Sequence, residues 1–349
     1  MWVGKILTMR RPFAASGLVV AITLAGCALL APLSATAATP APATAASISA
    51  AIATAMKTDV VPSTLTPSLT SVAGTAGAAA HFGQAMVTAC DPYYVHSLGA
   101  KPQPCVLGDT TSKKVVVLWG DSTAAMWVPA LSSAMKALHD KLLVFPFIGC
   151  PSVLTQINPN TATQAWWVAL CQQFHKSLPA AIVATHPIAV ITTQIAMWGD
   201  FSPSAVTSWV SQWTATFDAV TGKSSAIQRF LIQSTPTIGG SDIAACVALH
   251  HSNSACAPHY WVGNTANFMS NYNAYLVRDA AIATASKATL IPVTGYFCQS
   301  ATTVGTQNVC PAAISNYLVY VDYGHVSTDY MNYLAPALAT QLATLNFPH

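Results

Sequence analysis

Five consecutive apolar residues, Val115-Val116-Val117-Leu118-Trp119, constrain the fold more than any other segment. A strand with one wet face alternates apolar and polar residues. A run without alternation must be covered on both faces, as happens when helices pack on both sides of a parallel sheet. Four further runs have the same character: Leu142–Phe147, Ile188–Thr193, Gln228–Gln233 and Thr289–Val293, with the first run extended to Lys114–Trp119. Between and after them lie helix-like stretches at 123–139, 163–183, 204–220, 266–286 and 327–345. This alternation predicts one three-layer α/β/α domain, flavodoxin-like in kind, around a central parallel sheet of about five strands with right-handed crossovers. Sites in such sheets form at the carboxyl ends of strands.

Charged residues make up only 7% of the chain, against about 25% in an ordinary soluble domain. All 11 acidic residues are aspartates. The net charge of +3 is spread without basic clusters, which gives no footprint for nucleic acid. The low charge and the absence of glutamate point to an acidic or otherwise unusual medium.

The N-terminus reads as an export signal. Lys5, Arg10 and Arg11 precede an apolar stretch, and Ser34-Ala35-Thr36-Ala37-Ala38 offers a small-residue cleavage site. Three readings stand side by side: a signal peptide over 1–37, a lipoprotein signal cut before Cys27 in Leu24-Ala25-Gly26-Cys27, and an uncleaved anchor. Each places the domain outside the cytoplasm, secreted or attached to the envelope. Residues 38–85 are rich in Ala, Thr and Pro and read as a linker with a short helix. The domain is expected over 86–349.

Eight cysteines remain when Cys27 is set aside. They admit many pairings, of which the sequential one is simplest: Cys90–Cys105, Cys150–Cys171, Cys246–Cys256 and Cys298–Cys310. No Cys-x-x-Cys is present, so neither a metal site nor a cofactor is expected.

The first strand runs into Gly120-Asp121-Ser122, and Asp322-Tyr323-Gly324-His325 follows near the C-terminus. Each motif alone is an ordinary turn with a capping side chain. Together they supply the parts for acyl transfer. A serine hydroxyl needs a base to take its proton and a third group to orient the base. Ser122, His325 and Asp322 are the candidates. The backbone N–H of Ser122, at a helix start, is a candidate oxyanion donor. Competing chemistries lack support. Gly222-Lys223-Ser224 misses the first glycine of a phosphate loop, and no Gly-x-Ser-x-Gly surrounds Ser122. Asp200 and Asp242 carry no glycosidase motif. Trp127, Trp166, Trp167, Trp198, Trp209, Trp213 and Trp261 offer rings for sugars, though most are expected in the core.

These features resemble the SGNH (GDSL-like) hydrolase superfamily, and within it the SGNH domain of bacterial acyltransferase-3 family proteins. The resemblance spans about residues 86–345. It rests on Cys90 and Pro104-Cys105 with Leu107-Gly108-Asp109, Val117 to Ser122 with Ala124 and Trp127, and Gly149-Cys150-Pro151 with Cys171 and Phe174. It continues through Thr235-Pro236, Cys246 and Cys256. It ends with Cys298, Cys310-Pro311, Tyr320, Asp322, His325-Val326-Ser327, Tyr330 and Leu334-Ala335-Pro336. The resemblance implies the same disulfides. It also implies Ser122 as nucleophile, His325 as base, Asp322 as its partner, and Gly149 and Gln194 as further oxyanion donors. Asp121 and Trp198 are expected as supports of the site.

Two departures stand out. Thr123 occupies a position that is usually His, and no Gly-x-Asn segment follows the third strand. The implied activity is an exported serine esterase or O-acetylesterase. Its substrate would be an acylated glycan of the envelope or surroundings, or a small acyl ester. One alternative is an O-acyltransferase working with a separate membrane acyltransferase. The other is a glycan-binding module without turnover.

Overall fold

A computed structural model describes residues 42–155, 165–193, 203–236, 243–257, 268–299 and 310–348. The export-signal region, Gln194 and Trp198 lie outside the described residues.

The sheet has six strands: β1 (Cys105–Gly108), β2 (Val115–Gly120), β3 (Lys141–Pro146), β4 (Ala189–Thr192), β5 (Gln228–Ile232) and β6 (Thr289–Ile291). Their spatial order is β1-β3-β2-β4-β5-β6. All neighbours are parallel except β1, which runs antiparallel along β3. Without that edge strand, the five parallel strands follow the flavodoxin-like order 2-1-3-4-5. The sequence reading expected these five and not β1. Val106 on β1 is half exposed, so a short edge strand with one wet face carries little hydrophobic signal.

The apolar run of β2 is covered on both faces. Val116 and Leu118 belong to one hydrophobic cluster and Val117 and Trp119 to the other, the two-residue period of a strand. The first cluster is capped by α3 (Ser122–Met126), α4 (Val128–Ala137) and α9 (Thr328–Thr344); the second by α5 (Ala165–Val183) and α6 (Pro203–Val220). α7 (Ile243–His250) and α8 (Phe268–Ala285) complete the helical layers. The stretch read as one helix over 123–139 is two, with Pro129 in the first turn of the second. Proline fits there because its missing N–H would have had no helical partner.

The eight described cysteines form four disulfides: Cys90–Cys105, Cys150–Cys171, Cys246–Cys256 and Cys298–Cys310. Each closes a local loop.

The sequence reading makes residues 38–85 a linker with a short helix. Residues 42–85 belong to the same compact unit as the rest of the described chain. Helix α1 (Ala45–Thr58) begins at a capping box on Thr44 and Ser47 and buries Ile48 and Ile52, one turn apart. Asp59 accepts hydrogen bonds from the Ser254 N–H (2.6 Å) and the Ser252 hydroxyl (3.0 Å). Asn253 reaches back to the Ala55 carbonyl at 3.3 Å and takes the Ala313 N–H at 2.9 Å. α2 (Gly74–Ala80) and a 3-10 turn at Gly83–Met86 then lead to α3. Gly83 lies so close that a Cβ there would stand 2.0 Å from the Ala125 carbonyl oxygen.

Candidate active site

Ser122 emerges directly from the carboxyl end of β2, where the strand order turns back on itself between β3 and β4. That crevice is where ligands bind in open α/β sheets. The backbone makes a tight exit. Gly120 has φ +145°, and a Cβ there would meet the Ser152 hydroxyl at 2.5 Å and Ala124 at 2.8 Å. Only glycine fits. Asp121 caps α3, its carboxylate accepting the Thr123 N–H at 2.8 Å. Ser122 is therefore the first helical residue, half-buried, among N–H groups without helical partners.

Asp322 and His325 come from a loop pinched at its base by a bridge between Tyr320 and Val326 and by the Val321 N–H donating to the His325 carbonyl at 2.9 Å. The Asp322 carboxylate organises this loop by accepting the N–H groups of Gly324 and His325, both at 2.8 Å. Its other oxygen lies 2.7 Å from Nδ1 of the His325 ring. Burial raises the Asp322 pKa, but the hydrogen bond and charge of His325 and the two N–H donors outweigh it, and the net shift is downward. The carboxylate stays ionised and fixes Nδ1 as the protonated nitrogen. Nε2 is buried and has no hydrogen-bond partner among the described residues. Its ring stacks on Phe82, with centroids 4.2 Å apart and planes 13° from parallel.

Ser122, Asp322 and His325 line one cavity of ≈ 580 Å³. No hydrogen bond joins Ser122 to His325, a looseness common before substrate binds. Most of the remaining wall comes from Val72, Ala78, Ala79, Phe82, Ile148 and Val321, with Gly74, Thr75, Gln84 and Tyr323 also reaching it. Phe82 and Gln84 were not foreseen from the sequence; nothing in a segment read as a linker marks them.

Gly149 sits beside Ile148 in the turn after β3, with φ +78° and the Trp167 ring 3.3 Å from where a Cβ would stand. The turn is held from below by Asp91, whose buried carboxylate accepts N–H groups from Ile148 (3.3 Å) and Tyr93 (2.9 Å). Burial pushes the Asp91 carboxyl up to about 6, against those two donors. Thr123, where the resemblance leads one to expect His, is buried, and its hydroxyl has no partner among the described residues. The nearest approach to a metal-ligand cluster among the described residues is Cys150, Cys171 and His175. Its two sulfurs are joined to each other, which removes the thiolates a metal would need.

No curated protein sequence matches the chain. Solved structures with a similar course are distant in sequence. The periplasmic domain of a lipopolysaccharide acetyltransferase from Salmonella ser. Paratyphi A is 11% identical over 78% of this chain and 98% of its own, with a TM-score of 0.49. A GDSL-like lipase from Bacteroides thetaiotaomicron is 12% identical over 72% and 96%, with a TM-score of 0.40. A carbohydrate acetylesterase from Sinorhizobium meliloti is 12% identical over 66% and 99%, with a TM-score of 0.38. The sequence pattern of the family described as "SGNH domain (fused to AT3 domains)" matches residues 89–340, well over half of the chain. The chain belongs to that family of SGNH domains.

Proposed function

We propose that this protein is an extracytoplasmic serine esterase that cleaves acyl esters, O-acetyl esters among them, from a glycan of the cell envelope or its surroundings. The observation that carries the reading is His325. Its Nδ1 is committed to Asp322, and its Nε2 is unpaired at a cavity that Ser122 also lines. In the proposed reaction Nε2 takes the Ser122 proton as the oxygen attacks the ester carbonyl. The tetrahedral oxyanion is held by the Ser122 N–H, with Gly149 and Gln194 as further donors. His325 then protonates the departing alkoxide, leaving an acyl-serine. Water, activated by the same imidazole, returns the enzyme.

Four disulfides support a place in an oxidising compartment. The glycan as alcohol half is supported by exposed aromatic side chains on the cavity's flank. Tyr93 and Tyr94 meet edge to face at 5.1 Å, and His96 stacks on Trp166 at 5.1 Å. Tyr94 is hydrogen-bonded to Gln84, which lines the cavity. Flat exposed rings of this kind match the apolar faces of sugar rings.

The family description, which names fusion to AT3 domains, favours one second reading. In it the acyl-serine passes its acyl group to a glycan hydroxyl, with a separate membrane acyltransferase as donor. Labelling with a fluorophosphonate and turnover of p-nitrophenyl acetate test the shared core of both. The protein should label and turn over, and Ser122→Ala should lose both. A folded wild-type protein that neither labels nor turns over would sink the esterase reading.

A further inference from the structure

The cavity beside Ser122 holds more than a two-carbon acyl group requires, and its walls are mostly apolar. Its volume of ≈ 580 Å³ falls among sites that bury whole small molecules. Val72, Ala78, Ala79, Phe82, Ile148 and Val321 present hydrocarbon to it. The polar side chains that reach it are few: Ser122, Asp322 and His325 of the site itself, with Thr75, Gln84 and Tyr323. Asp322 is taken up by the His325 ring and two N–H groups, and Gln84 by Tyr94. A sugar ring in this space would leave the hydroxyls that face the apolar walls without partners, which costs free energy when they are buried. A hydrocarbon chain asks for no partners. Four of the six apolar residues, at positions 72–82, precede the family match at 89–340.

Resting on the serine-esterase reading, we propose that the cavity is an acyl-chain site and that the preferred acyl group is longer than acetyl, in the butyryl-to-octanoyl range. Ala79, half-buried on α2, sets the room available. In the reaction the ester carbonyl sits at Ser122 and the chain runs along Phe82 toward Ala78 and Ala79. The Ser122 oxygen bonds to the carbonyl carbon, the bond to the alkoxide breaks, and the proton held on His325 leaves with the alcohol.

Turnover of p-nitrophenyl acetate, butyrate and octanoate by the purified protein tests this. Each methylene taken out of water should raise kcat/KM about fourfold until the cavity is filled. Butyrate should therefore exceed acetate by about tenfold or more. Ala79→Phe should lower the octanoate-to-acetate ratio by at least about tenfold. Acetate preferred by a protein whose Ser122 labels with fluorophosphonate would overturn the proposal and leave the esterase reading standing. If Ser122 does not label, the esterase reading fails, and calorimetric titration of Ser122→Ala with sodium octanoate decides the cavity by itself. Saturable binding that Ala79→Phe abolishes would support a hydrocarbon site. No binding, or an oligosaccharide that occupies the cavity in place of octanoate, would overturn it.

Discussion

At the scale of single residues, one carboxylate does three jobs. Asp322 folds its own loop through the N–H groups of Gly324 and His325, holds the His325 ring, and places negative charge beside the imidazole that would become a cation in the proposed acyl transfer. Asp322→Asn separates these roles. An amide oxygen can still accept the loop N–H groups, so the fold should survive. The amide nitrogen is a donor, however, and would favour the tautomer in which Nε2 carries the proton and cannot act as base. We expect kcat to fall by about 10³–10⁴ with a small change in melting temperature. Pre-steady-state labelling by fluorophosphonate should slow in step. Unchanged turnover in the folded variant would remove Asp322 from the mechanism. This pair was legible in the sequence because Asp-x-x-His places both groups in one turn. The contact with Phe82 was not, because stacking across 243 positions of chain leaves no local trace.

At the scale of elements, the sheet and the N-terminal segment differ in how far they could be read. The five parallel strands announced themselves by unbroken apolar runs, since a strand buried on both faces has no polar positions to blur it. α1 was legible only as a short helix inside a linker, because Ala, Ser and Thr compose both a flexible spacer and a helix held by tertiary packing. Its burial depends on a few side chains, Ile48 and Ile52 above all, set among a run of alanines. Ile52→Ala tests whether the segment is part of the cooperative fold. Loss of a buried isoleucine costs about 2–5 kcal/mol, so the denaturant midpoint should drop in a single transition. An unaltered midpoint would mean that α1 docks loosely and contributes little. The same architecture predicts where a truncation does harm. Phe82 and Gln84 reach the cavity from a segment whose path is fixed by Asp59 and Asn253, so removing α1 weakens the anchoring of one wall of the site.

At the scale of the whole molecule, two buried groups act against each other across mildly acidic pH: Asp91, whose carboxyl burial raises to about 6, and His175, whose imidazole burial lowers to about 4. Asp91 is wholly buried, and its carboxyl is raised to about 6 by that burial, with only the Tyr93 and Ile148 N–H groups set against it. The neighbouring Tyr94 has its own pKa raised by burial and by the Asp91 charge, so its phenol stays neutral. In the unfolded chain the same carboxyl titrates near 3.8. Between about pH 4 and pH 6 the folded state keeps a proton that the unfolded state has released. Stability from this group is therefore full below pH 4 and declines as pH rises, by up to about 3 kcal/mol once pH exceeds 6. Asp322 works in the opposite sense, since its lowered pKa contributes stability that disappears only in stronger acid, below its unfolded value near 3.8. His175 opposes Asp91 directly: its neutral folded form binds no proton between about pH 4 and 6.5, where the unfolded imidazole does, so stability from it rises with pH across that window and offsets most of the Asp91 decline. Asp91→Asn keeps an oxygen to accept the Ile148 N–H and cannot ionise. Its melting temperature relative to the wild type should rise from pH 4 to pH 7, with the variant gaining most at pH 7. Parallel melting curves across that range would show that Asp91 is solvated or paired in solution, and would remove this source of acid preference. Because the Asp91 side chain also holds the turn that presents Ile148 and Gly149 to the cavity, measuring p-nitrophenyl ester turnover over the same range would show whether its ionisation also shifts that turn.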